Sequence, residues 1–174
     1  KVREGETVVV LGAAGSTGLA AVRLAARAGA RVIAVGRSRE KLEVTAAHGA
    51  SHLVTLGEGE PSLRDQVKAL SDGRGADVVY DPIGGAISTE GLRACAFGAR
   101  FLVVGWSATP LVARGGREPN MIPTNLVLMK GIDVLASPAA PVRRGRGGSA
   151  AVGATFIGAR RRSCRAARNG RDGR

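Results

Sequence analysis

The sequence predicts an α/β fold: a doubly wound, mostly parallel sheet of six strands, followed by a C-terminal tail that we expect to be disordered or aberrant. Two observations predict the sheet. Short apolar runs rich in β-branched residues alternate with helical patterns, and a glycine-rich turn joins the first run to the first helix. Because strands that alternate with helices pair in parallel through right-handed crossovers, this order indicates a doubly wound sheet. The 174 residues are enough for about one domain with its own core.

The six predicted strands are nearly continuous apolar runs, as expected of strands buried on both faces of a parallel sheet. They are residues 7–12, 31–35, 51–55, 76–81, 100–105 and 132–136. Helical patterns separate most of them, at residues 15–28, 38–48, 62–71 and 88–95.

The turn after the first strand reads GAAGSTG, with its glycines at a spacing of three. Gly12 ends the strand, Gly15 lets a ligand approach the backbone, and Gly18 lets the new helix pack close to the sheet. Backbone N–H groups and the positive end of the helix would then point at a pyrophosphate, as in a Rossmann domain. The alternative is a tight turn without a ligand, because a lone glycine pattern is weak evidence. The predicted pyrophosphate site comprises Gly12, Ala14, Gly15, Ser16, Thr17 and Gly18.

At the corner after the second strand, cations stand where an NAD-specific site carries an acid. Such sites place Asp or Glu about 20 residues beyond the glycines, where it accepts both ribose hydroxyls. Cationic side chains would instead attract a 2′-phosphate, and a serine can donate a hydrogen bond or cap the following helix. The corner therefore favours NADP(H) over NAD(H), although solvated residues at a helix start are the alternative. The residues concerned are Gly36, Arg37, Ser38, Arg39 and Lys41.

The net charge of +12 is concentrated in the tail, residues 138–174, which is rich in Arg, Gly and Ala. The tail holds ten arginines and one acid, a net of +9, which leaves +3 for residues 1–137. A nucleic-acid binder is the interpretation that this charge first suggests. However, Phe156 is the only aromatic residue of the tail, so no stacking residues interleave with the arginines, and we expect no nucleic-acid partner.

No residue of the sequence is predicted to be catalytic or to bind a metal. His48 and His52 have no Asp or Cys at ligand spacing, and no nucleophile stands near a base, although Asp81 is expected to order the loop that follows it. Two cysteines are too few for a disulfide framework. The chain shows no secretory signal and no apolar run of about 18 residues, so we expect a cytoplasmic protein without a membrane partner.

Four segments, in order, resemble the cofactor domain of medium-chain dehydrogenases/reductases, in particular the zinc-independent quinone oxidoreductase branch. They are residues 3–43, 75–85, 91–106 and 125–135, and they place an NADP(H)-binding domain at residues 1–137. The resemblance implies hydride transfer from NADPH to a quinone or an α,β-unsaturated carbonyl, with no zinc in this chain. It also implies that five residues of the loops DPIGG and VVGW lie along the nicotinamide half of the cofactor, namely Ile83, Gly84, Val104, Gly105 and Trp106.

The sequence departs from this family at both ends. The family carries its substrate domain before the cofactor domain, so we expect a poorly active fragment of an enzyme whose intact form is a homodimer. Residues 138–174 resemble nothing in the family, and their composition is typical of a shifted reading frame in a GC-rich gene. Two alternatives stay open: the cofactor domain of a zinc-type alcohol dehydrogenase, and a non-catalytic dinucleotide-binding sensor of the atypical short-chain type, whose glycine turn GAAGSTG also resembles.

Overall fold

The computed structural model describes residues 1–108 and 121–137. The predicted tail, residues 138–174, lies outside the described residues. In chain order the elements are β1 (Thr7–Leu11), α1 (Ser16–Arg27), β2 (Arg31–Gly36), α2 (Arg39–Ala46), β3 (His52–Thr55), α3 (Leu63–Ala69), β4 (Ala76–Asp81), α4 (Ala86–Ala94), β5 (Cys95–Val103), α5 (Thr124–Lys130) and β6 (Asp133–Ala136).

The strands form one sheet in the order β3-β2-β1-β4-β5-β6, and every neighbouring pair is parallel. Val9 of β1 lies opposite Ile33 of β2 on one side and Val79 of β4 on the other. The chain moves outward from β1 to β3 and then returns to place β4 beside β1. The predicted doubly wound, six-stranded fold is thus confirmed, and its strand order reverses between β1 and β4, where open α/β sheets bind their ligands.

Both faces of the central strands are buried, because successive side chains of a strand point to opposite faces. Val9 and Leu11 belong to the core that α3 and α4 cover, together with Phe101 of β5. Val8 and Val10 belong to the opposite core, which α1 and α2 cover. This double burial explains why β1 is apolar at consecutive positions.

Two strands differ from the predictions, and the helix α5 was not predicted. The strand β5 begins at Cys95 rather than at residue 100, because its register against β4 shifts from the pair Ala76↔Cys95 to the pair Val78↔Arg100. The edge strand β6 was predicted to be buried on both faces, but all of its residues are exposed. The reason is that β6 has a neighbour on one side and that α5 contributes no buried residue to cover it.

The helix α5 is tied to α4 by one side chain. The Nζ of Lys130 donates to the carbonyl oxygens of Leu92 (3.3 Å), Arg93 (2.6 Å) and Cys95 (2.8 Å). These carbonyls belong to the end of α4, where carbonyls lack partners within the helix and where a cation is favourable. Beneath this contact, burial raises the pKa of the Cys95 thiol to about 12, although the neighbouring Lys130 ammonium acts in the opposite direction.

Candidate functional site

Two glycines of the turn after β1 are required by the chain itself. Gly12 has φ +61°, and a Cβ there would lie 2.8 Å from Cδ1 of Ile83. A Cβ on Gly18 would lie 2.4 Å from the carbonyl oxygen of Gly12 and 2.7 Å from Cα of Ala13. Since both contacts are too short for any side chain, Gly18 lets α1 pack against the turn, as its position in the motif predicts.

Gly15 differs from these two glycines, because neither its φ nor a contact with the described residues requires a glycine. Its backbone is extended, with φ −76° and ψ 163°, and the nearest heavy atom to an added Cβ is the carbonyl oxygen of Gly12 at an ordinary 3.4 Å. Gly15 is exposed, as are its neighbours Ala14, Ser16 and Thr17. A Cβ would therefore fit among the described residues, and a longer side chain would extend into the space in front of the turn.

The space in front of Gly15 is the amino end of α1. Gly15 is the N-cap and provides no side-chain hydrogen bond to the helix. The N–H groups of Ser16, Thr17 and Gly18 have no acceptor among the described residues, as is usual for a first helical turn. An open backbone cradle with free donors and the positive end of a twelve-residue helix suits an anionic group such as a pyrophosphate.

The corner after β2 begins the helix α2. Ser38 is the N-cap, and its Oγ accepts a hydrogen bond from the N–H of Lys41 at 3.3 Å. Arg39 extends away toward β3, where its Nη1 donates to the carbonyl oxygen of Leu53 at 3.1 Å. The side chains of Arg37 and Lys41 are exposed and have no hydrogen bond or ion pair within residues 1–108 and 121–137.

The structure adds two details at this corner. Glu40 lies in the first turn of α2 between two of the cations, so the corner holds one acid that the sequence prediction did not consider. Gly36 ends β2 against Leu42, whose Cδ2 would lie 3.1 Å from an added Cβ. Of the predicted cations, Arg37 and Lys41 are therefore the two that remain available to a phosphate.

The loop after β4 is built around a buried carboxylate. Asp81 is 1% exposed, and its Oδ1 accepts from the N–H groups of Ile83 (2.8 Å) and Gly84 (3.0 Å). Its Oδ2 accepts from the hydroxyl of Ser88 in α4 at 2.5 Å. The prediction that Asp81 orders the following loop is confirmed. Ser88 was not predicted, and the only sequence signal for it is a hydroxyl in the first turn after a pair of glycines.

The loop after β5 packs directly on the loop after β4. The main-chain oxygen of Asp81 accepts from the N–H groups of Val104 (2.8 Å) and Gly105 (3.3 Å). The N–H of Ala108 donates to the carbonyl oxygen of Ile83 at 2.8 Å. A Cβ on Gly105 would lie 2.7 Å from the carbonyl oxygen of Pro82, so only glycine permits this approach. Trp106 follows with 48% of its surface exposed.

The predicted site residues therefore lie after the carboxyl ends of β1, β2, β4 and β5, on both sides of the point where the strand order reverses. Ile83 joins the two sides through its contact with Gly12. That these residues bind a cofactor stays a prediction. Among the described residues no three His, Cys, Asp or Glu side chains are grouped so that they could hold a metal ion. No helix in the same part of the chain is long and apolar enough to cross a membrane.

Comparison with known proteins agrees with this geometry. The zinc-binding dehydrogenase family matches residues 16–141. A quinone oxidoreductase-like protein 2 from Mus musculus is 38% identical over 136 residues, which are 78% of this chain and 36% of that protein. The chain belongs to the medium-chain dehydrogenase/reductase family. The resemblance to the quinone oxidoreductase-like branch is confirmed, and the chain spans about a third of the length of such medium-chain relatives.

Solved medium-chain structures share the fold. The crystal structure of an NAD-dependent alcohol dehydrogenase is 28% identical, with a TM-score of 0.66 over 89% of this chain and 39% of its own. The crystal structure of the Escherichia coli quinone oxidoreductase complexed with NADPH is 21% identical, with a TM-score of 0.64 over 78% of this chain and 39% of its own. The second likeness shows the fold alone.

Proposed function

We propose that residues 1–137 form the NADP(H)-binding domain of a medium-chain reductase that transfers hydride to a quinone or an α,β-unsaturated carbonyl. Gly15 is the observation that carries this proposal. Its φ is negative and the described residues leave room for a Cβ, so neither backbone strain nor a steric clash explains the glycine. A ligand that lies against the backbone of the turn does explain it, because a Cβ would occupy the space that the ligand needs.

Different residues of the chain would bind different parts of the cofactor. The free N–H groups of Ser16, Thr17 and Gly18 would hold the pyrophosphate, with the dipole of α1 favouring its charge. Ile83 and Val104, in the two packed loops, would shape the surface for the nicotinamide. When bound, the reduced nicotinamide supplies the hydride. The protein contributes binding and orientation, so no acid or base on this chain is required for hydride delivery.

The preference for NADP(H) rests on the corner after β2. The solved relatives include one that is NAD-dependent and one that is complexed with NADPH, so they do not decide the question. Arg37 and Lys41 are exposed and unengaged within the described part of the chain, and each can donate to a 2′-phosphate. Arg39 is engaged with Leu53 and would support the corner instead.

The acceptor site belongs to the longer protein that the relatives represent. Since this chain spans 36% of the mouse relative, we propose that a substrate domain supplies the other wall of the cleft. A small-molecule quinone or enone is the proposed substrate, and the cytoplasm is the proposed location. The homodimer of the intact enzyme also stays a prediction, which light scattering on that enzyme would test.

A zinc-type alcohol dehydrogenase is the second candidate, because the NAD-dependent alcohol dehydrogenase is among the solved relatives. The two candidates differ in what the cofactor exchanges hydride with: an alcohol in one case and a quinone or enone in the other. The family match gives no support to the sensor of the short-chain type. Steady-state assays of the longer protein with both substrate classes would separate the two candidates.

Replacing Gly15 with Val tests whether the turn after β1 binds the cofactor. The Cβ of the new side chain meets no clash among the described residues and the side chain fills the predicted pyrophosphate cradle, so NADPH affinity should fall by about tenfold or more while the fold is retained. NADPH fluorescence measures the affinity and circular dichroism the fold. Gly57→Val is the matched control, because Gly57 is exposed and an added Cβ there has nothing within 4 Å. Equal affinity of Gly15→Val and wild type would contradict the proposed site.

A further inference from the structure

The carboxylate of Asp81 is the most deeply buried acid at the carboxyl ends of the described strands, with 1% exposure. Burying a charge is costly unless it is paired or hydrogen-bonded. No Lys or Arg pairs with this carboxylate within residues 1–108 and 121–137. Instead it accepts from the N–H groups of Ile83 and Gly84 and from the hydroxyl of Ser88. Its hydrogen bonds are therefore directed at the loop and at the start of α4.

The loop that these bonds hold has unusual backbone freedom. Gly84 and Gly85 have φ values of +75° and +71°, a region that glycine enters readily and other residues rarely do. Two consecutive glycines give the segment many conformations of similar energy. A buried acceptor that fixes the two N–H groups before the second glycine selects one of them.

The loop after β4 also fixes the position of the loop after β5, because the two are joined by hydrogen bonds. Val104 and Gly105 donate to the main-chain oxygen of Asp81, and Ala108 donates to that of Ile83. Gly105 lies so close to Pro82 that a Cβ would be 2.7 Å from its carbonyl oxygen. A displacement of the first loop therefore displaces the second one as well.

We propose that Asp81 is a positioning residue that sets how the nicotinamide half of the cofactor is bound and leaves the adenine half unaffected. This inference rests on the proposed function. Within residues 1–108 and 121–137, the adenine-side residues Gly15 and Arg37 make no hydrogen bond to either loop, and the side chain of Ile83 reaches that side only beside Gly12. Asp81 acts through its loops and needs no contact with the cofactor.

Two ligands separate the halves of the site: NADPH, and adenosine 2′,5′-bisphosphate, which lacks the nicotinamide. In the full chain, Asp81→Ala should weaken the binding of NADPH by about tenfold or more, because two loop N–H groups lose their buried acceptor. The dissociation constant of the bisphosphate should change by less than about twofold. The fluorescence change of NADPH on binding, which reports the surroundings of the nicotinamide, should also decrease. Asp81→Asn retains one acceptor oxygen and should restore much of the NADPH affinity.

Asp77→Ala is the matched control. Asp77 belongs to the same strand, and its Oδ2 accepts from the N–H of Thr7 at 2.8 Å, at the opposite end of the sheet. This variant loses a comparable carboxylate contact and should leave the ratio of the two affinities unchanged. If Asp81→Ala does not fold, Ser88→Ala is the variant that tests the proposal. It removes one of the three donors to Asp81, so it should weaken NADPH binding by about threefold and leave the affinity for the bisphosphate unchanged.

The outcomes distinguish the two proposals. If wild type binds both ligands and the Asp81 and Ser88 variants bind NADPH equally well, the positioning role is overturned and the proposed function stands. Equal weakening of both ligands by the variants would also overturn it, because the effect would then be general destabilisation. A wild-type chain that binds neither ligand would overturn the proposed function, and this inference with it.

Discussion

Individual residues at the corner after β2 separate what the sequence could predict from what it could not. The pattern correctly makes Ser38 the N-cap, because a serine before a helical pattern is a local signal. The engagement of Arg39 with Leu53 could not be predicted, since that contact depends on how α2 packs beside β3. For Gly15, the motif predicts the position of the glycine, but only the folded turn shows that there is room for a Cβ.

Arg37 is the residue at which cofactor choice can be tested. Arg37→Asp should reduce the preference for NADPH over NADH by about tenfold or more, because a charge-assisted hydrogen bond of roughly 1.5–3 kcal/mol is replaced by repulsion. Fluorescence titrations with both nucleotides give the two dissociation constants. Arg23→Asp, on the exposed face of α1, controls for the change in net charge. Equal dissociation constants for NADPH and NADH in wild type would rule out the 2′-phosphate assignment.

Among the elements, the sequence predicts best those that are buried by their neighbours. The strands β1, β2 and β4 lie where their apolar runs predict them, within one or two residues. The helix α5 was not predicted, because its apolar residues leave no clear polar stripe, and its first and last residues are set by Pro123 and by Gly131 at φ +59°. The register shift of β5 also escaped prediction, since residues 96–99, which lie between its two paired segments, read as the end of the preceding helix and a turn before residue 100.

The attachment of α5 to α4 predicts a loss of stability in Lys130→Met. The methionine keeps the apolar length of the side chain but removes the ammonium donor from the carbonyl oxygens of Leu92, Arg93 and Cys95, of which that of Leu92 still accepts from the N–H of Cys95. We expect the free energy of unfolding to fall by about 1–3 kcal/mol, as measured by urea denaturation. Lys68→Met, in the last turn of α3, removes a charge without removing a described hydrogen bond and should change stability by less than about 0.5 kcal/mol. A Lys130 variant as stable as this control would show that the capping contact contributes nothing.

At the scale of the whole molecule, the doubly wound, parallel character of the sheet could be predicted, because the alternation of elements leaves few topologies. The extent of the functional unit could not be predicted in this way. Residues 138–174 lie outside the described part of the chain, so their disorder and their origin in a shifted reading frame stay predictions. The substrate domain stays a proposal, which rests on the 36% of the mouse relative that this chain spans.

The whole-molecule prediction is that this chain binds NADPH but reduces quinones slowly. Holding the reacting carbons in line is worth up to roughly 7–11 kcal/mol, and we propose that another domain supplies one wall of the cleft. NADPH oxidation with a simple quinone should therefore be far below a typical rate of about 10 per second. Joining a medium-chain substrate domain to the chain should raise kcat with little change in NADPH affinity. A typical rate from the present chain would show that residues 1–137 hold the complete active site.

Cys95 gives the molecule a built-in reporter of opening. Alkylating reagents react with the thiolate, and a thiol whose pKa burial raises to about 12 is almost entirely protonated at neutral pH as well as inaccessible. In a Cys164→Ser chain, iodoacetamide would therefore label Cys95 only while β5 is detached from the sheet. The labelling rate then measures how often the central sheet opens, and cofactor binding should slow it because a ligand that binds only the folded chain lowers the open population.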